Sequence, residues 1–152
     1  MTERELEKKT MGVLEATLAP PVGLWKIHDN VTGGQPDLEV CWNEYTSKIE
    51  FKKLKGDETV HDKWEDERQL ITLVRYEETT RRGWVVCFAQ RDRQHRETLI
   101  YRPTRLLRGN LPTDGILFDY TQLALALWEK GVIRCEGFRQ DVVARLIWQT
   151  HQ

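Results

Sequence analysis

The sequence predicts an α/β fold. Two segments in which apolar and polar residues alternate, at positions 37–42 and 48–53, are typical of strands that bury one face. The continuous apolar run at positions 84–89 is typical of a strand covered on both faces. Apolar residues at helical spacing over positions 3–18 and 61–78 predict two amphipathic helices. Strands interrupted by helices in this way indicate a sheet with helices packed against it.

Length and composition place the chain among ordinary globular proteins. Its 152 residues, 39% hydrophobic and 31% charged, suffice for one domain over positions 1–152 with a continuous core. No apolar run is long enough to cross a membrane, and the first residues lack the apolar centre of a signal peptide, so we expect a cytoplasmic protein. Three widely separated cysteines, Cys41, Cys87 and Cys135, predict buried free thiols. The glycines form no nucleotide-binding pattern, and the only serine lacks the context of a hydrolase nucleophile.

The first helix carries an acidic residue on its apolar stripe. Glu7 precedes Met11 and Leu14 by four and seven positions and therefore faces the same side as they do, whereas Glu5 points outward. Two explanations stay open. The carboxylate complements the helix dipole at a partly exposed position, or it belongs to a site.

A short strand is expected ahead of the two alternating segments. Positions 22–28 follow Pro20 and Pro21 and are expected to be extended, with Trp25 as the anchor residue that packs the strand against the core. Gly33 and Gly34 in the next loop allow backbone geometry that is closed to other residues, which suits either an ordinary glycine turn or the close approach of a ligand backbone next to Asp37.

The two alternating segments predict an antiparallel hairpin closed by positions 43–47. The simplest pairing places Phe51 opposite Leu38 and Ile49 opposite Val40. A shift of one residue would turn the carboxylates into the core and the aromatic rings into water, so the alternation opposes it.

This pairing collects charged side chains on the polar face of the hairpin. Lys52 lies beside Asp37, and Glu50 lies diagonally across on the same face. Oxygen ligands of this kind suit Mg²⁺ or Mn²⁺. The hairpin therefore predicts a site for a hard cation with an ammonium group beside it.

These residues resemble the signature of the PD-(D/E)xK nuclease superfamily. Pro36-Asp37 is followed, after twelve residues, by Glu50-Phe51-Lys52. Within the superfamily, Gly33-Gly34-Gln35-Pro36-Asp37-Leu38 and Ile49-Glu50-Phe51-Lys52 are most similar to the compact VRR-NUC domains and the archaeal-type Holliday-junction resolvases. The resemblance covers positions 3–90 and implies the compact core of that superfamily, with element order α-β-β-β-α-β.

The resemblance implies a role for each matching residue of the hairpin. Asp37 and Glu50 would hold Mg²⁺ or Mn²⁺, together with the carbonyl of Phe51. Lys52 would position or activate the attacking water.

The resemblance also implies contributions from the two helices. Glu7 would be the additional carboxylate that these nucleases carry on a helix, with Glu3 as the substitute candidate. The polar residue expected on the second helix matches Gln69 by residue type and Glu67 by its spacing to the apolar stripe, and both assignments stay open.

The expected activity is divalent-metal-dependent endonucleolytic hydrolysis of DNA, in replication, repair or recombination. Junctions and flaps are candidate substrates, and a homodimer would pair two sites for the cutting of two strands. One alternative is a catalytically inactive nucleic-acid-binding or assembly protein that retains the fold. Another is an unrelated α/β interaction protein in which the motif is accidental.

Basic residues are distributed unevenly along the chain. Eight arginines lie between positions 79 and 108, where only two acidic residues oppose them, and this predicts a basic face on a nearly neutral protein. The loop after the apolar strand is expected next to the site, and ordinary solvation of its charges is the alternative. The candidate residues for nucleic-acid binding are Lys53, Lys55, Arg91, Arg93 and Arg96.

The last third of the chain carries no recognisable motif. We expect a core over positions 3–102 and a helical extension over positions 103–152, which could serve as a cap, a dimer surface or a DNA clamp. The expected elements are a strand at 98–102, a helical turn at 105–109, and helices at 120–130 and 138–149 joined through positions 131–135.

Overall fold

The computed structural model describes residues 1–27, 36–63, 67–107 and 122–152, and over these ranges the fold is mixed α/β as predicted. Its elements are α1 (Glu3–Thr17), β1 (Gly23–Lys26), β2 (Leu38–Trp42), β3 (Tyr45–Lys55), a 3-10 turn (Val60–Lys63), α2 (Glu67–Thr80), β4 (Gly83–Gln90), β5 (Arg96–Tyr101), α3 (Pro103–Leu107), α4 (Leu123–Lys130), β6 (Val132–Glu136) and α5 (Gln140–Thr150). None of the helices in these ranges has the length and apolar character needed to span a membrane.

The strands form one sheet in the order β1-β2-β3-β4-β5-β6. All neighbouring pairs are antiparallel except β3 and β4, which run parallel because α2 carries the chain back across the sheet. From α1 to β4 the elements follow the predicted order of helix, three strands, helix and strand.

Each face of the sheet carries its own hydrophobic core. Helices α1, α4 and α5 cover one face, where Phe51 and Phe88 stack with ring centroids 6.3 Å apart. Helices α2 and α3 cover the other face, which includes Leu54, Val85 and Cys87. Strand β4 contributes to both cores and is buried along almost its whole length, as its continuous apolar run predicts.

The predicted hairpin register is wrong by two residues. Leu38 pairs with Ile49 rather than with Phe51, and Val40 pairs with Ser47. Because side chains alternate with a period of two, a shift of two residues leaves every side chain on its predicted face.

The cause of the shift is a tighter turn than expected. Asn43 and Glu44 alone form it, both with left-handed backbone (φ of 50° and 71°), which is the two-residue geometry that matches the twist of paired strands. Ser47, expected in the loop, lies in β3, where its hydroxyl is 2.7 Å from Nε2 of the buried His151. The other ring nitrogen of His151 lies 2.8 Å from the carbonyl of Trp42, so α5 is tied to both hairpin strands.

The second helix begins later than predicted. The 3-10 turn precedes it, α2 itself spans Glu67–Thr80, and Trp64 lies outside the described residues. Ile71, one of the apolar residues at helical spacing in the predicted helix, is 37% exposed. The buried stripe instead continues at helical spacing through Leu70, Leu73, Val74 and Glu77.

The predicted C-terminal extension is not purely helical. Positions 132–136, expected to be a connection, form β6, which pairs with β5 and contributes buried Val132, Ile133 and Cys135. The strand forms because β5 would otherwise present an unpaired edge, and this short segment supplies β-branched residues to cover it. Gly109 and the first residues of the predicted helix at 120–130 lie outside the described ranges.

Trp25 does not anchor the first strand. Its side chain is 54% exposed, because β1 is the edge strand and Trp25 points away from the core that Leu24 contacts.

The prediction for the cysteines is confirmed in part. All three are free, and Cys87 and Cys135 are buried, but Cys41 is only partly buried.

Candidate functional site

The structure brings Asp37, Glu50 and Lys52 together. Asp37 lies directly before β2, at the position where the antiparallel register continues beside Glu50 in the middle of β3. The amide of Phe51 donates a hydrogen bond to Oδ2 of Asp37 over 2.8 Å. Nζ of Lys52 lies 3.7 Å from Oε1 of Glu50, as expected for alternating residues on one face. The contact of Phe51 is made by its amide, so the implied role of its carbonyl stays a prediction.

Glu50 is unusual in being a nearly completely buried acid, with 2% of its surface exposed. Burial, followed by the negative charge of Asp37 and a hydrogen bond to its carboxylate, raises the pKa of the Glu50 carboxyl to about 10, although the ammonium of Lys52 opposes the increase. Among the described residues, Oε2 of Glu50 and Nε1 of Trp84 are the buried side-chain atoms that lack a hydrogen-bond partner. A proton therefore neutralises Glu50 near pH 7 unless a cation takes its place.

Helix α1 brings two further carboxylates to Asp37. Glu3, Glu7 and Asp37 each offer an oxygen within 4.8 Å of the others. Thr2 fixes the start of the helix, since its hydroxyl accepts a hydrogen bond from the amide of Glu5. The prediction that Glu7 faces inward and Glu5 outward agrees with their burial, and Glu3, held as a substitute, lies at the cluster as well.

The electrostatics of this cluster favour a cation. Burial, followed by the charge of Asp37, raises the pKa values of both Glu3 and Glu7. Nζ of Lys26 lies 3.4 Å from Oε2 of Glu7, and the amide of Lys53 donates a hydrogen bond to Oε2 of Glu3. These contacts lower the two pKa values only in part. In the lining of the adjacent cleft the three carboxylates outnumber the two basic side chains, Arg4 and Lys26.

An open cleft of about 360 Å³ gives access to the cluster. Its lining residues are Glu3, Arg4, Glu7, Lys26, Ile27 and Asp37. The candidate ligand atoms are carboxylate oxygens, which are the donors preferred by Mg²⁺, Mn²⁺ and Ca²⁺ and differ from the sulfur and nitrogen donors typical of zinc sites.

Two residues of the cleft, Arg4 and Lys26, were not identified from the sequence. Lys26 belongs to a strand of four residues, which is too short for a clear alternation. Its pairing with Leu38 places it on the sheet face covered by α1, and this long-range arrangement has no local sequence signal.

The two candidates on α2 differ in burial. Gln69 is partly buried in the first turn, whereas Glu67 is exposed. Helix α2 packs on the face of Leu54, which by alternation is also the face of Glu50 and Lys52. Burial and position thus favour Gln69, and its catalytic role stays a prediction.

The loop after β4 is farther from the carboxylates than expected. It begins after Gln90, which pairs with Lys55, and Lys55 is five residues beyond Glu50 along β3. This separation corresponds to about 16 Å at the usual rise of a strand. Lys55 is exposed there, whereas Lys53 reaches back to the carbonyl of Met1 near the cluster.

Several of the clustered arginines bind to other parts of the protein. Arg91 contacts Glu97 over 2.9 Å and donates to the carbonyls of Gly56 and Glu58. Arg102 pairs with buried Glu77 over 2.9 Å. Among the described arginines of positions 79–108, four lie over aromatic rings: Arg81 and Arg102 over Trp128, Arg82 over Tyr45, and Arg96 over Phe138. These arginines support the fold, which reduces the basic face expected from their number. Arg108 lies outside the described residues.

This distinction predicts different effects for two neighbouring arginines. Arg91→Ala should lower the free energy of unfolding by about 1 to 3 kcal/mol, because Oε1 of Glu97 and the carbonyls of Gly56 and Glu58 lose the donor that Arg91 supplies, although Arg134 still binds Oε2 of Glu97. Arg93→Ala, at an exposed position, should change it by less than about 0.5 kcal/mol. Urea unfolding measures both values, and equal values would contradict the structural role of Arg91.

If Arg93 contacts phosphate, its loss should reduce the salt dependence of DNA binding by about one unit of slope.

Comparison of the chain with protein-family models, with curated proteins and with solved structures gives no match.

Proposed function

We propose that the protein is a divalent-metal-dependent endonuclease of the PD-(D/E)xK type that hydrolyses phosphodiester bonds of DNA. The observation that carries this proposal is the meeting of Asp37, Glu50 and Lys52 across β2 and β3. Glu3 and Glu7 add two carboxylates to Asp37 from the first turns of α1.

The donor set fits Mg²⁺ or Mn²⁺. Glu50 has a buried oxygen without a hydrogen-bond partner, and Glu3 and Glu7 bring two further carboxylates to Asp37. Asp37 and Glu50, with Glu3 and Glu7, would hold the ion. When bound, the ion neutralises charge on the scissile phosphate and acidifies a water molecule.

The residues of the chain supply orientation and a fixed positive charge. The amide of Phe51 holds the carboxylate of Asp37 in one orientation. The ammonium of Lys52 is 14% exposed and is held by Glu50, so it presents a preorganised positive charge where negative charge develops on the phosphate. Because ion binding displaces protons from carboxyls with raised pKa values, affinity for the ion should increase with pH.

The test of this proposal is a cleavage assay. Labelled single-stranded, duplex, flap and four-way-junction DNA are incubated with the protein in Mg²⁺, Mn²⁺ or EDTA. We expect cleavage that requires the ion and is lost in Asp37→Asn. Binding of DNA without any cleavage would favour the inactive nucleic-acid-binding protein, and the absence of both would favour the interaction protein. Light scattering of the same samples tests the proposed homodimer.

The acids of α1 provide a matched pair of variants. Glu7→Gln should lower the cleavage rate by about 10- to 100-fold, because Glu7 lies beside Asp37. Glu5→Gln, at an exposed position two residues earlier, should leave the rate within about twofold of wild type. Single-turnover rates in Mg²⁺ measure both effects. Equal rates for the two variants would remove Glu7 from the site.

A further inference from the structure

Trp25 exposes 54% of its surface on the edge strand β1. The large flat ring of an exposed tryptophan is well suited to contact a ligand. Its position in the fold indicates which ligand it fits.

The ring lies directly over the backbone of Gly23. A Cβ atom built on Gly23 would lie 2.1 Å from Cζ3 and 2.3 Å from Cη2 of Trp25, far inside contact distance. Glycine at this position therefore leaves the space that the ring occupies. The backbone supports the ring from one side, and the exposed surface of the ring is turned to solvent.

The supported ring lies next to the candidate site. Trp25 of β1 pairs with Glu39 of β2, and Glu39 pairs in turn with Lys48 of β3. Because side chains alternate along β3, Lys48 lies on the same face of the sheet as Glu50 and Lys52. Ile27, two residues along the chain from Trp25, lines the cleft, and its amide donates a hydrogen bond to the carbonyl of Asp37 over 3.0 Å. Two residues of strand correspond to about 7 Å.

We infer that Trp25 is a stacking surface for an unpaired nucleobase, and that the site selects DNA with a single-stranded segment, such as a flap, over continuous duplex. The inference rests on the proposed function and specifies its substrate class. A base in a duplex is stacked between its neighbours and offers no face to Trp25, whereas an unpaired base does. Stacking of one base on an aromatic side chain contributes about 1 to 3 kcal/mol, which is about 5- to 150-fold in affinity.

The experiment measures binding of fluorescein-labelled DNA by anisotropy, in Ca²⁺ with a parallel EDTA series. The probes are a 20-nucleotide single strand, a flap and a blunt-ended duplex whose terminal base pairs are G·C to suppress fraying. Trp25→Ala should weaken binding of the single strand and the flap by about 5- to 150-fold and change duplex binding by less than twofold. Trp25→Phe should retain most of the affinity, because it keeps an aromatic ring.

Two further variants separate stacking from general damage to the protein. Trp148→Ala removes a tryptophan of similar exposure, 48%, from α5 and should bind all three probes like wild type. Gly23→Ala keeps Trp25 but displaces its ring, so it should show the same selective loss as Trp25→Ala. Thermal unfolding confirms that each variant is folded.

The outcomes distinguish this inference from the proposed function. Wild-type affinity in Trp25→Ala, or an equal loss for single strand and duplex, would overturn the stacking role while cleavage by the wild type still supports a nuclease. Failure of the wild type to bind any of the probes would overturn both.

Discussion

Lys52→Ala should lower the rate of DNA cleavage by on the order of a hundredfold to a thousandfold, with the fold and the binding of DNA largely intact. The ammonium of Lys52 is held 3.7 Å from Glu50 and is preorganised for the charge that develops in the transition state. Its loss removes this stabilisation without opening the core, because Phe51 and Lys52 point to opposite faces of β3. Cation binding should be largely retained, because the carboxylates of Glu3, Glu7 and Asp37 stay in place.

Lys48→Ala is the matched control for this variant. Lys48 lies on the same face of β3 and is similarly ion-paired, with Nζ 3.5 Å from Oε1 of Glu39. Its loss should change the rate by less than about threefold, because an ion pair of this exposure contributes little to stability and Lys48 does not contact Glu50. The measurement is single-turnover cleavage at saturating Mg²⁺, with calorimetry of Mn²⁺ binding alongside. A wild-type rate for Lys52→Ala would show that the PD-(D/E)xK mechanism does not operate.

Strand alternation accounts for the hairpin residues of the candidate site, whereas Glu3 and Glu7 join Asp37 from α1. Asp37, Glu50 and Lys52 meet although the predicted register was wrong by two residues, because a shift of two preserves the faces of both strands. Register itself depends on the turn. The left-handed backbone of Asn43 and Glu44 has a signal only in Asn43, and the partner that draws Ser47 into β3 is more than a hundred residues away.

Features that depend on the order of strands in the sheet could not be predicted from the local sequence pattern. Lys26 and Trp25 acquire their positions from the place of β1 at the edge of the sheet, and a strand of four residues carries little periodicity. Strand β6 has the same cause, since its residues form a strand through pairing with β5. Helix periodicity, in contrast, identified Glu7, but it could not show that Glu3, one turn earlier, reaches Asp37 as well.

The buried carboxyl of Glu50 leads to the last prediction, which concerns stability. In EDTA, wild-type protein should lose stability as the pH rises from about 5 to 8, and Glu50→Gln should lose much less. The pKa of Glu50 is raised from 4.5 to about 10 by burial and by Asp37. Between these two values the folded state keeps a proton that the unfolded state has released, so stability falls with increasing pH. Glutamine has nearly the same shape and does not titrate.

At pH 8 in EDTA, Glu50→Gln should therefore be more stable than wild type by at least about 1 kcal/mol, or about 2 to 4 °C in Tm for a chain of this size. Adding Mg²⁺ should reverse the order, because an ion at a hundred times its Kd stabilises wild type by about 2.7 kcal/mol, whereas the variant lacks a ligand.

Glu77→Gln is the control. Glu77 is equally buried but is paired with Arg102, so its substitution should destabilise the protein with or without Mg²⁺. Thermal unfolding at pH 5 and pH 8 measures these effects. Parallel pH dependence of wild type and Glu50→Gln in EDTA would mean that Glu50 does not hold the proton that a cation is proposed to replace.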